Sequence, residues 1–254
     1  MKKQTIKDEV KDFYKKYPCG GDWLKDDSRY KILPWLSEVF EHNRHKGKII
    51  LDVGCGTGID LLRYIPTHNA VVGIDISETP LKIAKRRINE IGYAPLLIRC
   101  DLENMPLKYE TFDMVYSIGV LHHTPDHERG IREIHRVLKS DGEIIILLYH
   151  KYSLATLITK INRTVYKLIA TLAGPKVLER CLELIIRRKM NPAEVAAFRE
   201  MWEHPLIKYF TKGEINRIFK EVGFKNIQIL TFDALYPLSR VFPKLNKIDV
   251  FQRL

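Results

Sequence analysis

The residues best spaced for chemistry start at Leu51-Asp52-Val53-Gly54-Cys55-Gly56-Thr57-Gly58. Glycines at alternate positions allow a tight turn and a close approach of backbone to a ligand. The run follows a strand pattern and precedes a helical one, the setting a nucleotide-binding glycine loop needs. The dinucleotide spacing GxGxxG is not met, because Gly58 stands two residues after Gly56 rather than three. Asp52, just ahead of the glycines, would repel a pyrophosphate and would suit a ligand carrying an ammonium or other positive group. Both features turn the reading away from NAD and FAD. The plainer role for Asp52, accepting backbone hydrogen bonds in the turn, is compatible with serving a ligand.

Further candidates recur at the ends of later strand patterns. Asp75 comes 17 residues after Gly58 and can accept hydrogen bonds from ribose hydroxyls. Asp101 can meet the exocyclic amine of a base, and Leu102 can pack on its face. His122 and His123 follow the fourth strand and His150 the fifth, where a histidine can act as a proton acceptor near neutral pH. His122 and His150 are the candidate catalytic residues, with His204 and Tyr209 weaker ones. A structural role, capping the loop, competes for one of the adjacent histidines.

The surrounding pattern explains why these residues would meet. Short apolar runs at 48–53, 70–75, 95–99, 112–118, 143–149 and 226–232 read as six strands. Helical periods at about 58–65, 79–91 and 126–138 alternate with the earlier ones. Strands apolar on both faces between helices predict a parallel sheet covered by helices through right-handed crossovers. Open sheets of this kind bind ligands at the carboxyl ends of their strands, where the glycine run and the acids fall. Ahead of the sheet, helices are expected over 6–16 and 28–42. After it, Leu154, Leu157, Ile158, Ile161, Val165, Leu168, Ile169 and Leu172 step by threes and fours, one long amphipathic helix stopped at Gly174-Pro175. Further helices are expected over 177–186, from the Asn191-Pro192 start, and from the Thr211/Glu214 capping-box spacing to Glu221. This divides the chain into an N-terminal helical cover (1–44), an α/β core (45–150 and 208–254) and a helical insertion (151–207).

The chain of 254 residues is 45% apolar and 29% charged, an ordinary globular balance. Its four cysteines form no CxxC pair, which excludes a zinc knuckle or redox dithiol and suits a reducing cytosol. No signal-peptide apolar region and no run of spanning length stands out, so the expected location is cytoplasmic, free or peripheral to a membrane. The net charge is +11, and residues 151–190 alone, with nine Lys or Arg against two Glu, carry +7 of it. Three readings fit that segment: a lid whose apolar stripe closes over an apolar substrate, a structural helix pair or homodimer surface, or a helix lying on an anionic membrane.

On the motifs from Ile49 to Gly142, the chain resembles the class I S-adenosylmethionine-dependent methyltransferases, above all the small-molecule group that includes the ubiquinone and menaquinone enzymes. The resemblance covers about 45–148, with a fainter echo over 208–232. It implies a Rossmann-like, mostly parallel sheet with S-adenosylmethionine as cofactor. Gly54, Gly56 and Gly58, with Asp52, would line its amino-acid part. Asp75 would hold the ribose, Ile76 would touch the adenine, and Asp101 and Leu102 match the adenine-contacting pair. Asp113 to Val120 is similar to the fourth motif, which adds Ile118 to the expected cofactor contacts. Phe13 to Gly20 looks like an aromatic stretch that closes over the cofactor, with Tyr17 as its contact and packing of the cover as the alternative for Tyr14 and Tyr17. The family's sheet usually ends in a seventh, antiparallel strand. Here only Lys247 to Phe251 could supply it.

The resemblance implies methyl transfer to an oxygen or carbon of a small, apolar, lipid- or quinone-like acceptor. Rival readings are an RNA-modifying methyltransferase, drawn by the basic charge, and a non-catalytic binding protein that keeps the fold at an anionic membrane surface. No Asn/Asp-Pro-Pro-Tyr/Phe motif follows the fourth strand, which argues against methylation of nucleic-acid base amines. Cys55 and Cys100 are poorly placed as nucleophiles, and no acid cluster beyond the cofactor acids suggests a metal.

Overall fold

The structure, a computed structural model, describes residues 2–18, 36, 46–67, 70–174, 176–187, 189, 195, 199–200 and 202–231. Five parallel strands form one sheet in the order β3-β2-β1-β4-β5: β1 Ile49–Val53, β2 Ala70–Asp75, β3 Leu96–Arg99, β4 Phe112–Ile118 and β5 Leu138–Leu147. The central strand pairs Asp52 with Gly73 on one side and with Tyr116 on the other. The order reverses at β1, so a crevice opens where the chain leaves β1 and β4 in opposite senses.

Alternation along β1 builds the two halves of the core. Leu51 and Val53 join Ile74, Val115, Ile131, Ile134 and Phe219 on one face, while Ile50 joins Met114, Tyr116, Tyr64 and Leu36 on the other. The covering helices are α1 (Lys2–Lys16), α2 (Leu61–Tyr64), α3 (Glu78–Glu90), α4 (His127–Val137), α5 (Leu154–Ala173), α6 (Lys176–Ile186) and α7 (Lys212–Val222). Asp126 caps α4 by accepting from Arg129 N. Thr211 and Glu214 form the expected capping box, with reciprocal bonds of 3.1 and 2.7 Å. Ser77 stands at the cap position of α3, but its hydroxyl makes no cap bond.

Some expectations need correction. The helix expected over 58–65 is only α2 followed by a 3-10 turn at Ile65–Thr67, since Pro66 has no N–H to continue an α-helix. Strand β5 starts at Leu138, not 143. Leu138 pairs with Phe112 and Glu143 with Met114, so the expected turn at Ser140-Asp141-Gly142 is a bulge within the strand. The sixth strand is absent from 226–231. Asn226 takes a left-handed φ of 54°, and the residues after it pair with no strand although Ile227 packs on the core. The helix expected over 28–42, the one starting near Asn191, and the tail with its Lys247–Phe251 strand lie largely or wholly outside the described residues. Of the first, Leu36 alone is described, helical and fully buried.

Candidate active site

The glycine turn is shaped by backbone that only glycine adopts easily. Gly54, Gly56 and Gly58 have φ of 77°, 51° and 78°. Gly54 N and Cys55 N donate to the Ile74 carbonyl at 2.8 and 2.9 Å, which ties the turn to the end of β2. A Cβ on Gly54 would lie 2.3 Å from Val120 Cγ2, and one on Gly58 would lie 3.0 Å from Ala84 Cβ. The turn is therefore wedged between the exit of β4 and helix α3. From α3, Arg87 Nη1 reaches back and donates to Thr57 Oγ1 at 3.0 Å. No motif pointed to Arg87. Its signal, a lone arginine on the apolar side of a helix, is visible only in hindsight.

Asp75 ends β2 beside this turn. Its two oxygens each accept one backbone N–H, from Gly56 at 3.0 Å and from Ser77 at 2.8 Å. Each oxygen keeps a lone pair for a further donor such as a ribose hydroxyl. Burial pushes the carboxyl up from 3.8 to about 6, against the lowering effect of the Ser77, Gly56 and Ile76 amides. Ile76 is half-buried in the next position. Asp52 is buried within β1, under the turn and beside Tyr116.

Asp101 follows β3. Its Oδ1 accepts from Glu103 N at 2.9 Å and its Oδ2 holds Lys7 Nζ at 2.5 Å. Lys7 also reaches Glu103 at 2.6 Å, and Lys3 pairs with Asp126 at 2.7 Å. Helix α1 is thus pinned over the acids after β3. Lys7 is the residue that sequence reasoning missed here, because nothing in a charged helix marks one lysine among several. Leu102 is buried next to Asp101. Ile118 ends β4 and pairs with Leu147. Tyr17 packs on Phe13, with Arg199 over its ring at 5.9 Å. Cys19 and Gly20 lie outside the described residues.

The histidines form a second centre. His122 and His123 lie in a 3-10 turn after β4, and both are buried. The His122 ring stacks on Tyr149 at 3.8 Å and lies 4.2 Å from the His123 ring, which lies 3.8 Å from His204. Phe13 and Tyr14 of α1 pack on His204 at 4.8 and 5.3 Å. Burial holds His122 well below the ordinary histidine range, with His123 and His204 adding to it. Burial likewise lowers His123 to about 4, although the Leu206 carbonyl lies on its Nδ1 at 2.7 Å. His204 is lowered strongly for the same reason. All three are neutral at neutral pH.

His150 is not part of this cluster. Its carbonyl accepts from Thr156 and Ser153 at the start of α5, and it bridges Phe210. Tyr149, one residue earlier, takes the place beside His122. His204, a weaker candidate on sequence alone, is central here. It lies 81 residues from His123 in sequence, so no spacing could have joined them. The thiol of Cys55 is pushed well up, and that of Cys100 to about 11, both chiefly by burial, which suits neither to act as a nucleophile. Among the described residues no His, Cys, Asp and Glu group could hold a metal ion.

Known proteins share the domain and the fold. The methyltransferase domain family matches residues 51–146. A protein of unassigned function from Methanocaldococcus jannaschii is 32% identical over 159 residues, which span 62% of this chain and 59% of that relative. The demethylmenaquinone methyltransferase of Staphylococcus saprophyticus is 28% identical over 204 residues, 78% of this chain and 79% of that one. A solved S-adenosylmethionine-dependent methyltransferase from Mesorhizobium loti shares the fold, with a TM-score of 0.56 at 20% identity over 89% of this chain and 95% of that one. The residues present could hold that cofactor: the Asp75 and Asp101 carboxylates are acceptors at strand ends, and Asp52 is a buried acid ahead of the glycine turn. Residues 51–146 thus match the methyltransferase domain family, and the chain shares its fold with a solved S-adenosylmethionine-dependent methyltransferase.

Proposed function

We propose that the chain transfers a methyl group from S-adenosylmethionine to an oxygen or carbon of a small, apolar, quinone- or lipid-like acceptor. The observation that carries the reading is Asp75, fixed by the Gly56 and Ser77 amides at the end of β2 with acceptor capacity to spare. The bound sulfonium supplies an electrophilic methyl group. The chain supplies position, which accounts for much of the rate in a reaction needing in-line approach. Asp75 holds the ribose diol, Asp101 and Leu102 the base, and Asp52 with Gly54, Gly56 and Gly58 the amino-acid end. Ile76, Ile118 and Tyr17 complete the contacts. Lys7 also holds Oδ2 of Asp101, so Lys7 and the base amine would share that carboxylate.

His122 is the first candidate for taking the proton an acceptor hydroxyl loses, and its neutral form is the one competent to do so. His150 is the second, and its half-buried position at the start of α5 puts it nearer the surface. The aromatic lining of the histidine centre, with Tyr149, Tyr14 and Phe13, favours a flat, apolar acceptor. The similarity to a demethylmenaquinone methyltransferase supports the same class. In this reading residues 1–44 cover the cofactor and residues 151–207 frame the acceptor side of the core.

The test uses the full chain with methyl-labelled S-adenosylmethionine, presented separately with a lipid extract and with total tRNA. Label in a lipid-soluble product is expected. Label in tRNA alone would overturn the acceptor class, and no label in either with intact cofactor binding would favour a binding protein.

A further inference from the structure

Helix α5 is turned inside out relative to a core helix. Its polar side chains face the protein: Thr156 donates to the His150 carbonyl at 2.6 Å, Arg163 to the His204 carbonyl at 2.7 Å, and Tyr166 to Glu203. Its apolar side chains face water. Leu154, Leu157, Ile161, Val165, Leu168 and Leu172 are between 47% and 78% exposed. At 100° per residue they fall in a stripe roughly 80° wide, running about 30 Å along the helix. A continuous exposed stripe of that kind marks an interaction surface.

The charge around the stripe selects the occupant. Helix α5 contains lysines and an arginine but no acid. Lys160 and Lys167 are exposed along one flank of the stripe, and Lys176 and Arg180 are exposed on α6. Tyr152, 76% exposed, stands just before the first turn, a ring suited to the boundary between water and lipid. A second copy docked through this face would set one +7 segment against another. A nucleic acid would satisfy the cations and leave the leucines in water. An anionic bilayer satisfies both.

We infer that α5 lies flat on an anionic lipid bilayer, its apolar stripe at the headgroup–acyl boundary and its flanking cations at the lipid phosphates. Among the described residues no helix is long and apolar enough to cross a membrane, so the contact is peripheral. The polar underside of the same helix bonds to His150 and His204, which would hold the histidine centre close to the lipid surface. This lipid contact depends only on the surface of α5 and stands apart from the methyl-transfer reading.

The test is flotation of the full chain with vesicles of phosphatidylcholine alone and of an equal mixture with phosphatidylglycerol. The protein is expected to float with the mixture, not with phosphatidylcholine, and less as salt rises. The double substitution Ile161→Glu, Leu168→Glu should abolish flotation while leaving the circular dichroism unchanged, since both side chains are exposed. Lys160→Gln and Lys167→Gln should each weaken partitioning about fivefold. No flotation, or flotation indifferent to the two glutamates, overturns the inference. So does a dimer in sedimentation that those glutamates dissociate, which would assign the stripe to a second copy. Methyl transfer to a soluble acceptor is the separate readout: its survival without flotation would remove the membrane surface and leave the activity standing.

Discussion

Replacing Asp75 separates two opposing effects of one carboxylate. Its folded-state pKa is raised from 3.8 to about 6, chiefly by burial. A raised carboxyl pKa means that the native protein binds the proton more tightly than the unfolded chain. Stability of the ligand-free protein is therefore lost as pH rises from about 4 to about 6 and stays level above that. A rise of that size costs at most about 3 kcal/mol at pH 7. Asp75→Asn removes that penalty but gives up an acceptor for one of the Gly56 and Ser77 amides, each worth about 1 kcal/mol. The ligand-free variant should thus be more stable than the parent at pH 7 by about 1–2 kcal/mol, and no more stable at pH 4. Cofactor binding moves the other way. A ribose diol donates to the ionised form, so affinity for S-adenosylhomocysteine should be flat above pH 6 and fall up to tenfold per pH unit below it. Asp75→Ala should weaken that affinity about a hundredfold, from two charge-assisted bonds lost. Calorimetry against pH, with thermal melts of the ligand-free proteins, reads both effects. An Asp75→Asn profile with the same fall below pH 6, or an Asp75→Ala affinity within twofold of the parent, would refute the assignment.

Four further outcomes are expected. Gly54→Ala should destabilise the turn by about 1–2 kcal/mol from its positive φ alone, and the 2.3 Å approach to Val120 Cγ2 adds to that. Adding Val120→Ala should restore part of the loss in thermal melts but not the backbone part. His122→Phe keeps the stack on Tyr149, so it should leave S-adenosylhomocysteine affinity unchanged and lower turnover about a hundredfold if His122 takes the proton; equal turnover would make it structural. The histidine centre should make the fold acid-labile. His123 alone, lowered from 6.5 to about 4, removes about 3 kcal/mol as pH falls across that interval, and a urea midpoint level from pH 7 to 4.5 in the Asp75→Asn background, where the opposite trend of Asp75 is absent, would contradict this. Lys7→Met should speed amide exchange across α1 about tenfold, because it breaks two half-buried bonds, whereas Lys3→Met, at an exposed pair, should change it little.

The placement of the residues proposed for the cofactor was legible because it is local. The turn, Asp75 and Asp101 each sit within a few residues of a strand's carboxyl end, and a parallel sheet brings successive ends to one edge. Hence five strands, and the carboxyl ends of β1 to β4, followed from apolar runs and glycines, whereas β5 starts five residues and ends two residues earlier than expected. What was not legible depends on contacts distant in sequence. Lys7 meets Asp101 across 94 residues, Arg87 meets Thr57 across 30, and His123 meets the Leu206 carbonyl across 83. Nothing in the local pattern of any of these marks its partner. The missing sixth strand has a local cause in the left-handed Asn226, a conformation that asparagine tolerates without advertising it.

Helix α5 shows a different limit. Periodicity locates an apolar stripe but does not say what lies against it. The usual inference, that the stripe faces the core, fails here because the opposite side makes more specific bonds. Thr156, Arg163 and Tyr166 take up carbonyl and carboxylate partners in the 150–204 region, which would otherwise hold buried polar groups at a cost. Satisfying those groups decides which side of the helix turns inward, and the leucines are left outside as a consequence. A helix that anchors by hydrogen bonds and exposes its aliphatic side keeps its fold whether or not the stripe is covered. That is why Ile161→Glu with Leu168→Glu can separate surface attachment from folding, a separation that substitutions on a core-facing stripe could not make.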